Sequence, residues 1–138
     1  MKGVLLDTHI WWYIANDEFE CDEALRKKIN KAAQEEQLFV SAITLWEIAM
    51  LASKGRIIKL VPNCLHWINE ALKLTSVQVL ELTSEVSVDS CYLPGNFHAD
   101  PSDRIIVATA RIHDLFLVTA DKAILRYSKE DYVKTIAV

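Results

Sequence analysis

Short apolar runs recurring between longer amphipathic stretches constrain this chain more than any other feature. Gly3–Leu6, Leu38–Ser41, Val77–Leu82, Leu115–Thr119 and Tyr132–Val138 read as strands. Three of them lack apolar–polar alternation, the pattern of strands covered on both faces. The intervening stretches carry helical periodicity. Ala24–Glu36 puts Leu25, Ile29, Ala32 and Ala33 on one face at the helical repeat. Ala42–Ser53 is apolar almost throughout, Pro62–Leu74 turns Leu65, Ile68, Ala71 and Leu72 inward, and Thr83–Tyr92 opens on a capping residue. Asp100-Pro101-Ser102-Asp103 supplies an N-cap, a proline at the first helical position and an acid in the first turn, and Asp121 opens a last short helix. Gly55–Leu60 and Leu93–Ala99 read as loops. Strands alternating with helices in this way predict an α/β fold: a three-layer α/β/α sandwich around a five-stranded, mostly parallel sheet.

No linker or repeat interrupts residues 1–138, so one domain is expected. Hydrophobic residues make up 51% and charged residues 25%, which excludes an intrinsically disordered chain. The net charge of −4 excludes a global basic field, so any nucleic-acid role must rest on local basic residues or on metal ions. Cys21, Cys64 and Cys91 are odd in number and widely spaced, offering neither a metal hook nor a disulfide framework; a reducing compartment is the simpler reading. The apolar run after Gly3 is too short for a signal peptide or a membrane span. A soluble, cytoplasmic protein without membrane association is expected.

In an open parallel sheet the functional crevice lies at the carboxyl ends of the strands. Asp7 directly follows the first strand, Asp121 follows Leu117-Val118-Thr119 by one residue, and Asp103 sits in the first turn of its helix. Each of these three could equally be a helix cap. Glu47 is different: it is the only polar residue from Leu45 to Ala52. It lies roughly 7 Å into its helix, and helical side chains lean toward the N-terminus, which brings its carboxylate back to the strand edge. An ionised carboxylate on a mostly buried helix needs a partner. Two unit charges about 4 Å apart repel by about 4 kcal/mol at an effective dielectric near 20, so acids gathered at one edge either protonate in part or bind a cation. No histidine or cysteine joins them at metal-ligand spacing, and oxygen ligands suit Mg²⁺ or Mn²⁺ rather than zinc. Carboxylate-held divalent ions near helix N-termini that attract phosphate point to phosphodiester hydrolysis.

Leu5-Leu6-Asp7-Thr8, Ser41-Ala42-Ile43-Thr44-Leu45-Trp46-Glu47, Asp100-Pro101-Ser102-Asp103-Arg104-Ile105-Ile106-Val107-Ala108-Thr109-Ala110 and Leu117-Val118-Thr119-Ala120-Asp121 together resemble the PIN-domain family, most closely the VapC-type toxins of bacterial toxin–antitoxin modules. The likeness spans essentially the whole chain in order and spacing. It implies a Mg²⁺- or Mn²⁺-dependent endoribonuclease whose catalytic and metal-binding acids are Asp7, Glu47, Asp103 and Asp121. It further implies that Thr8, Ser41 and Thr119 help position carboxylates or water. It also implies a homodimer, a cognate antitoxin covering the active site, and an RNA substrate such as tRNA or ribosomal RNA.

A nuclease of negative net charge recruits RNA through local cations. Arg104 beside Asp103 and Lys122 beside Asp121 are the candidates for phosphate contact, or else partners that neutralise the acids. Arg26, Lys27, Lys28 and Lys31, and Lys54, Arg56 and Lys59 around Gly55, read first as solvated charged faces. Trp11, Trp12 and Tyr13 cannot all face one way on a helix, so one ring is expected outward, where it could stack on a base or meet a protein partner. His9 and His98 flank the acidic motifs without a pattern that gives them a role. Two other readings keep the same site: a stand-alone RNA-processing nuclease, and a catalytically inert metal- or RNA-binding module. A phosphoacceptor domain is disfavoured because Val79-Leu80-Glu81-Leu82-Thr83 lacks an acceptor aspartate at the third strand's end. A phosphotransferase of the Asp-x-Asp type is disfavoured because Asp7-Thr8-His9 lacks the second aspartate.

Overall fold

The computed structural model describes residues 2–58 and 60–138; Lys59 lies outside them. The strands are β1 (Val4–Leu6), β2 (Leu38–Ser41), β3 (Gln78–Leu80), β4 (Phe116–Thr119) and β5 (Lys134–Ala137). Helices α1 (Thr8–Ala15), α2 (Glu23–Gln34), α3 (Ala42–Ser53), α4 (Cys64–Thr75), α5 (Ser84–Cys91), α6 (Pro101–Ile112) and α7 (Lys122–Ser128) connect them. The sheet runs β3-β2-β1-β4-β5, and every described pairing is parallel, with Leu5 opposite both Phe39 and Leu117. The expected three-layer architecture is therefore present, with the sheet parallel throughout.

The centre of the sheet explains why β1 reads as an unbroken apolar run. Val4, Leu5 and Leu6 are all wholly buried. Successive side chains point to opposite faces, so Val4 and Leu6 enter one apolar layer with Trp11, Leu38, Val40 and Ile48. Leu5 enters the other layer with Val86, Ile106, Leu117 and Ile124. Burial of each such side chain contributes about 1.5–3 kcal/mol. Both faces are covered by helices, so no alternation is left to see. Trp11 donates its indole N–H to Thr75 Oγ1 at 2.9 Å and meets Trp67 edge-on, tying α1 to α4.

Helix starts follow local capping chemistry. Asp7, Asp22, Ser41, Asn63, Thr83, Asp100 and Asp121 are all N-caps in extended backbone whose side-chain oxygens accept from N–H groups of the first turn. The fourth helix thus begins at Cys64 after Asn63 rather than at Pro62, its Leu65 is exposed rather than turned inward, and the third strand is shorter than Val77–Leu82, running from Gln78 to Leu80. Among the described residues no helix is long and apolar enough to cross a membrane.

Candidate active site

From β1 the sheet grows through β2 to β3 on one side, and through β4 to β5 on the other. At such a switch point the helices leave β1 and β4 in opposite directions and a crevice opens between them at the strand ends. A cleft of about 450 Å³ lies there, walled by Asp7, Thr8, Tyr13, Glu47, Asp103 and Asp121, with His9, Ile10, Asp100 and Ala120 completing it. The four predicted acids thus reach one cavity from four segments: the β1–α1 junction, the second turn of α3, the first turn of α6 and the β4–α7 junction.

Each acid is held differently. Asp7 is buried and takes one donor on each oxygen: the Thr8 N–H on Oδ1 at 2.8 Å and the Thr119 hydroxyl on Oδ2 at 2.6 Å. Thr119 Oγ1 in turn accepts the Asp121 N–H at 3.0 Å, which locks the end of β4 to the acid at the end of β1. Burial raises the pKa of Asp7; the bonds from Thr119 and Thr8 and the nearby His9 oppose that rise, and Asp121 adds to it. Glu47 accepts the Thr8 hydroxyl on Oε1 at 2.6 Å. Asp121 Oδ1 accepts two α7 N–H groups, from Ala123 at 2.9 Å and Ile124 at 3.0 Å. Asp100 Oδ1 accepts the Asp103 N–H and the Ser102 hydroxyl, each at 2.9 Å, so Asp100 caps the helix that carries Asp103.

Asp103 is the one aspartate of the cleft that caps no helix. Its pKa is pushed up to about 7, first by burial and then by the negative charges of Asp100, Asp7, Asp121 and Glu47. A half-buried carboxyl facing four other acids lacks positive charge, and a cation in the cleft would supply it. The donor set is all oxygen, which fits a hard divalent ion. Among the described residues no three Asp, Glu, His or Cys side chains stand close enough to grip an ion unaided.

The family profile of the PIN domain matches residues 4–130. The chain belongs to the PIN-domain family. It is 34% identical over 122 residues to Ribonuclease VapC22 of Mycobacterium tuberculosis, a match covering 88% of this chain and 89% of that protein. Two solved structures share the fold. DNA-bound VapBC from Salmonella typhimurium has a TM-score of 0.72 at 17% identity, covering 99% of this chain and 98% of the other. VapBC2 from Rickettsia felis, bound to a fragment of its promoter, has a TM-score of 0.71 at 16% identity, covering 97% of each chain.

Within this PIN domain two predicted contributors take other positions. Ser41 is buried and caps α3 through the Ile43 N–H at 3.2 Å; it is not part of the cleft wall, so it orients the helix of Glu47 instead of touching an acid. Arg104 follows Asp103, and one residue is about 100° around a helix, so its side chain turns away from the cleft. Its guanidinium donates to Ser90 O at 2.8 Å and Phe97 O at 2.7 Å, a clamp between the end of α5 and the 93–99 loop rather than a phosphate contact. Arg104→Ala is expected to cost about 1.5–3 kcal/mol of stability in urea unfolding, because charged donors leave two carbonyls unpaired. Arg104→Lys should recover part of it. Lys122 is exposed at the start of α7 and, among the described residues, forms no ion pair.

The aromatic trio also resolves. Trp11 is fully buried, Trp12 stacks against Trp67 with ring centroids 5.2 Å apart, and Tyr13 is the outward ring, on the cleft wall. His9 lines the cleft beside Asp7, whereas His98 is exposed and outside it. Lys28 reaches over the Phe116 ring at the opposite, amino-terminal end of β4, so that basic face lies away from the acids. Thr44 is the residue that sequence reasoning passed over: wholly buried, it bonds to Thr8 at 2.9 Å.

Proposed function

We propose that this chain is a Mg²⁺- or Mn²⁺-dependent endoribonuclease that acts as the toxin of a toxin–antitoxin pair. The observation that carries the reading is the convergence of Asp7, Glu47, Asp103 and Asp121 on one cleft at the sheet's switch point. The likeness over most of the chain to a protein named a ribonuclease supports RNA as the substrate. Asp7, Glu47, Asp103 and Asp121 would hold the cation, directly or through its waters. When bound, such an ion supplies charge stabilisation for the phosphoryl oxygens and a more acidic water.

The chain's own residues do the positioning. Thr8 N–H and Thr119 Oγ1 fix both oxygens of Asp7, and the Thr8 hydroxyl fixes one oxygen of Glu47. Helices α1 and α6 begin at the cleft, where the partial positive charge of their N-termini favours anions. Lys122 stands next to Asp121 as the cation for an RNA phosphate, and Tyr13 offers a ring at the rim. tRNA or ribosomal RNA is the proposed substrate class, the cytoplasm the site of action and a homodimer the working form. The solved VapBC structures support a partner antitoxin, which this reading seats over the cleft. Exposed Trp46, Ile58, Val61 and Leu65, on α3, α4 and the segment between them, give such a partner apolar surface.

The test is a cleavage assay on tRNA and ribosomal RNA with partner-free protein in Mg²⁺, Mn²⁺ or EDTA. Discrete cuts in either metal and none in EDTA are expected. Uncut RNA, from folded protein with measured Mn²⁺ binding, would replace the enzyme with an inert binding module. Co-purification without any antitoxin and no growth arrest on expression would favour a stand-alone processing nuclease.

A further inference from the structure

Most helical hydroxyls here satisfy themselves locally. Thr75, Ser87 and Thr109 each donate to the carbonyl four residues back, all at 2.7 Å. Thr44 does not. It is completely buried in the first turn of α3, and among the described residues its side chain has one partner, Thr8 Oγ1 at 2.9 Å on another helix.

The direction of that bond follows from proton counting. A threonine hydroxyl has one proton and two lone pairs, and an ionised carboxylate only accepts. The Thr8 proton goes to Glu47 Oε1, at the short 2.6 Å separation of a charge-assisted bond. Thr8 can therefore only accept from Thr44. The proton order is Thr44 to Thr8 to Glu47, and the same three residues close a ring, because positions 44 and 47 share one face of α3. On the other side of the cleft the Asp121 N–H, the Thr119 hydroxyl and Asp7 Oδ2 form a second donor chain of the same polarity.

We infer that Thr44 is a positioning residue for Glu47, acting through Thr8. By fixing the acceptor role of the Thr8 oxygen it directs the single Thr8 proton at Oε1 and leaves the other oxygen of Glu47, a residue of the cleft wall, without a donor among the described residues. Without Thr44 the Thr8 hydroxyl is free to rotate, and Glu47 loses its fixed orientation. The effect on catalysis rests on the ribonuclease reading; the effect on Glu47 does not.

The test therefore has a metal-free arm and an activity arm. In the metal-free protein, NMR should detect a protected Thr8 hydroxyl proton correlated with the Glu47 carboxyl carbon. The near-isosteric Thr44→Val should abolish that protection and shift the Glu47 carboxyl resonance, as Thr8→Val does, while Thr44→Ser restores both. In the activity arm Thr44→Val should lower kcat by about 10–100-fold, the usual effect of losing a partner behind an active-site ligand, with KM within about twofold. In a Glu47→Gln background the same change should add nothing, since it acts only through that carboxylate. A folded Thr44→Val protein with an unmoved Glu47 resonance overturns the inference, as does a Thr8 proton pointing to Thr44. If Thr44→Val does not fold, the hydroxyl correlation in the unaltered protein decides. If the unaltered protein shows the relay and cuts no RNA, the activity falls and the relay stands.

Discussion

Asp103→Asn is expected to lower RNA cleavage by on the order of 10²–10³-fold or more, the scale of removing a group that stabilises reacting charge, while making the protein more stable at neutral pH. The two effects have one origin. Asp103 carries its charge only against burial and four acidic neighbours, which push its pKa up to about 7. A carboxyl whose folded pKa is raised adds stability below its unfolded value, and that stability is lost as pH rises through about 7. Asparagine mimics the protonated form at every pH. The variant should therefore melt above the parent at pH 8, and the gap should narrow as the pH falls toward 3.8, the ordinary aspartate value, where the two converge. The gain is about 1–2 kcal/mol, well below what the full shift implies, because the side chain is only half-buried and solvent screens its charge.

Asp7→Asn should lose as much activity without that stability gain. Its two oxygens accept from Thr8 N–H and the Thr119 hydroxyl, and an amide nitrogen cannot replace either acceptor. Cleavage assays and thermal melts on both variants separate these outcomes. A fully active Asp103→Asn protein would remove the acid from the site.

The contrast between the two aspartates bears on what the sequence could reveal. Read along the chain, Asp7, Asp103 and Asp121 are each either a helix cap or a site acid, with no local means to choose. In three dimensions Asp7 caps α1 through Oδ1, is tied to β4 through Oδ2 and still lines the cleft. Asp121 caps α7 through one oxygen and still lines the cleft. The motif is ambiguous because one carboxylate has lone pairs enough for both tasks. Glu47 was legible for a different reason: a lone acid among Leu45, Trp46, Ile48, Ala49, Met50 and Leu51 has no neighbour on its helix to solvate it.

The fold was legible wherever strands are covered on both faces, because β1, β2 and β4 carry uninterrupted apolar runs. The strand order was not. It depends on which edge of β1 receives β4, a pairing between residues more than a hundred positions apart, such as Leu6 with Val118. That pairing, in turn, brings Thr119 onto Asp7. Arg104 illustrates the opposite error: adjacency to Asp103 in sequence is a large rotation on a helix, so the neighbour of a cleft residue faces elsewhere. Thr44 left no mark because a threonine in an apolar helix is indistinguishable from core until its hydroxyl partner is known.

Mn²⁺ affinity of the free protein is expected to rise about tenfold per pH unit from pH 5 to about pH 7, roughly 100-fold in all, and then to level off. A cation competes with the proton for the same carboxylate, and Asp103 holds its proton up to about pH 7. Below that value each ion bound must displace close to one proton, which sets the slope; above it the acid is already ionised. The raised pKa of Asp7 can only steepen the acidic limb. Calorimetry in buffers of different ionisation enthalpy counts the released protons directly, and Asp103→Asn should flatten the profile by removing that proton. A flat profile in the unaltered protein between pH 5 and 7 would mean that the ion sits away from Asp103. The same competition predicts that RNA cleavage at a fixed, subsaturating Mn²⁺ concentration falls as the medium is acidified, and that added metal restores it. Loss of cleavage that excess metal cannot restore would instead place the titrating group outside the cation's reach.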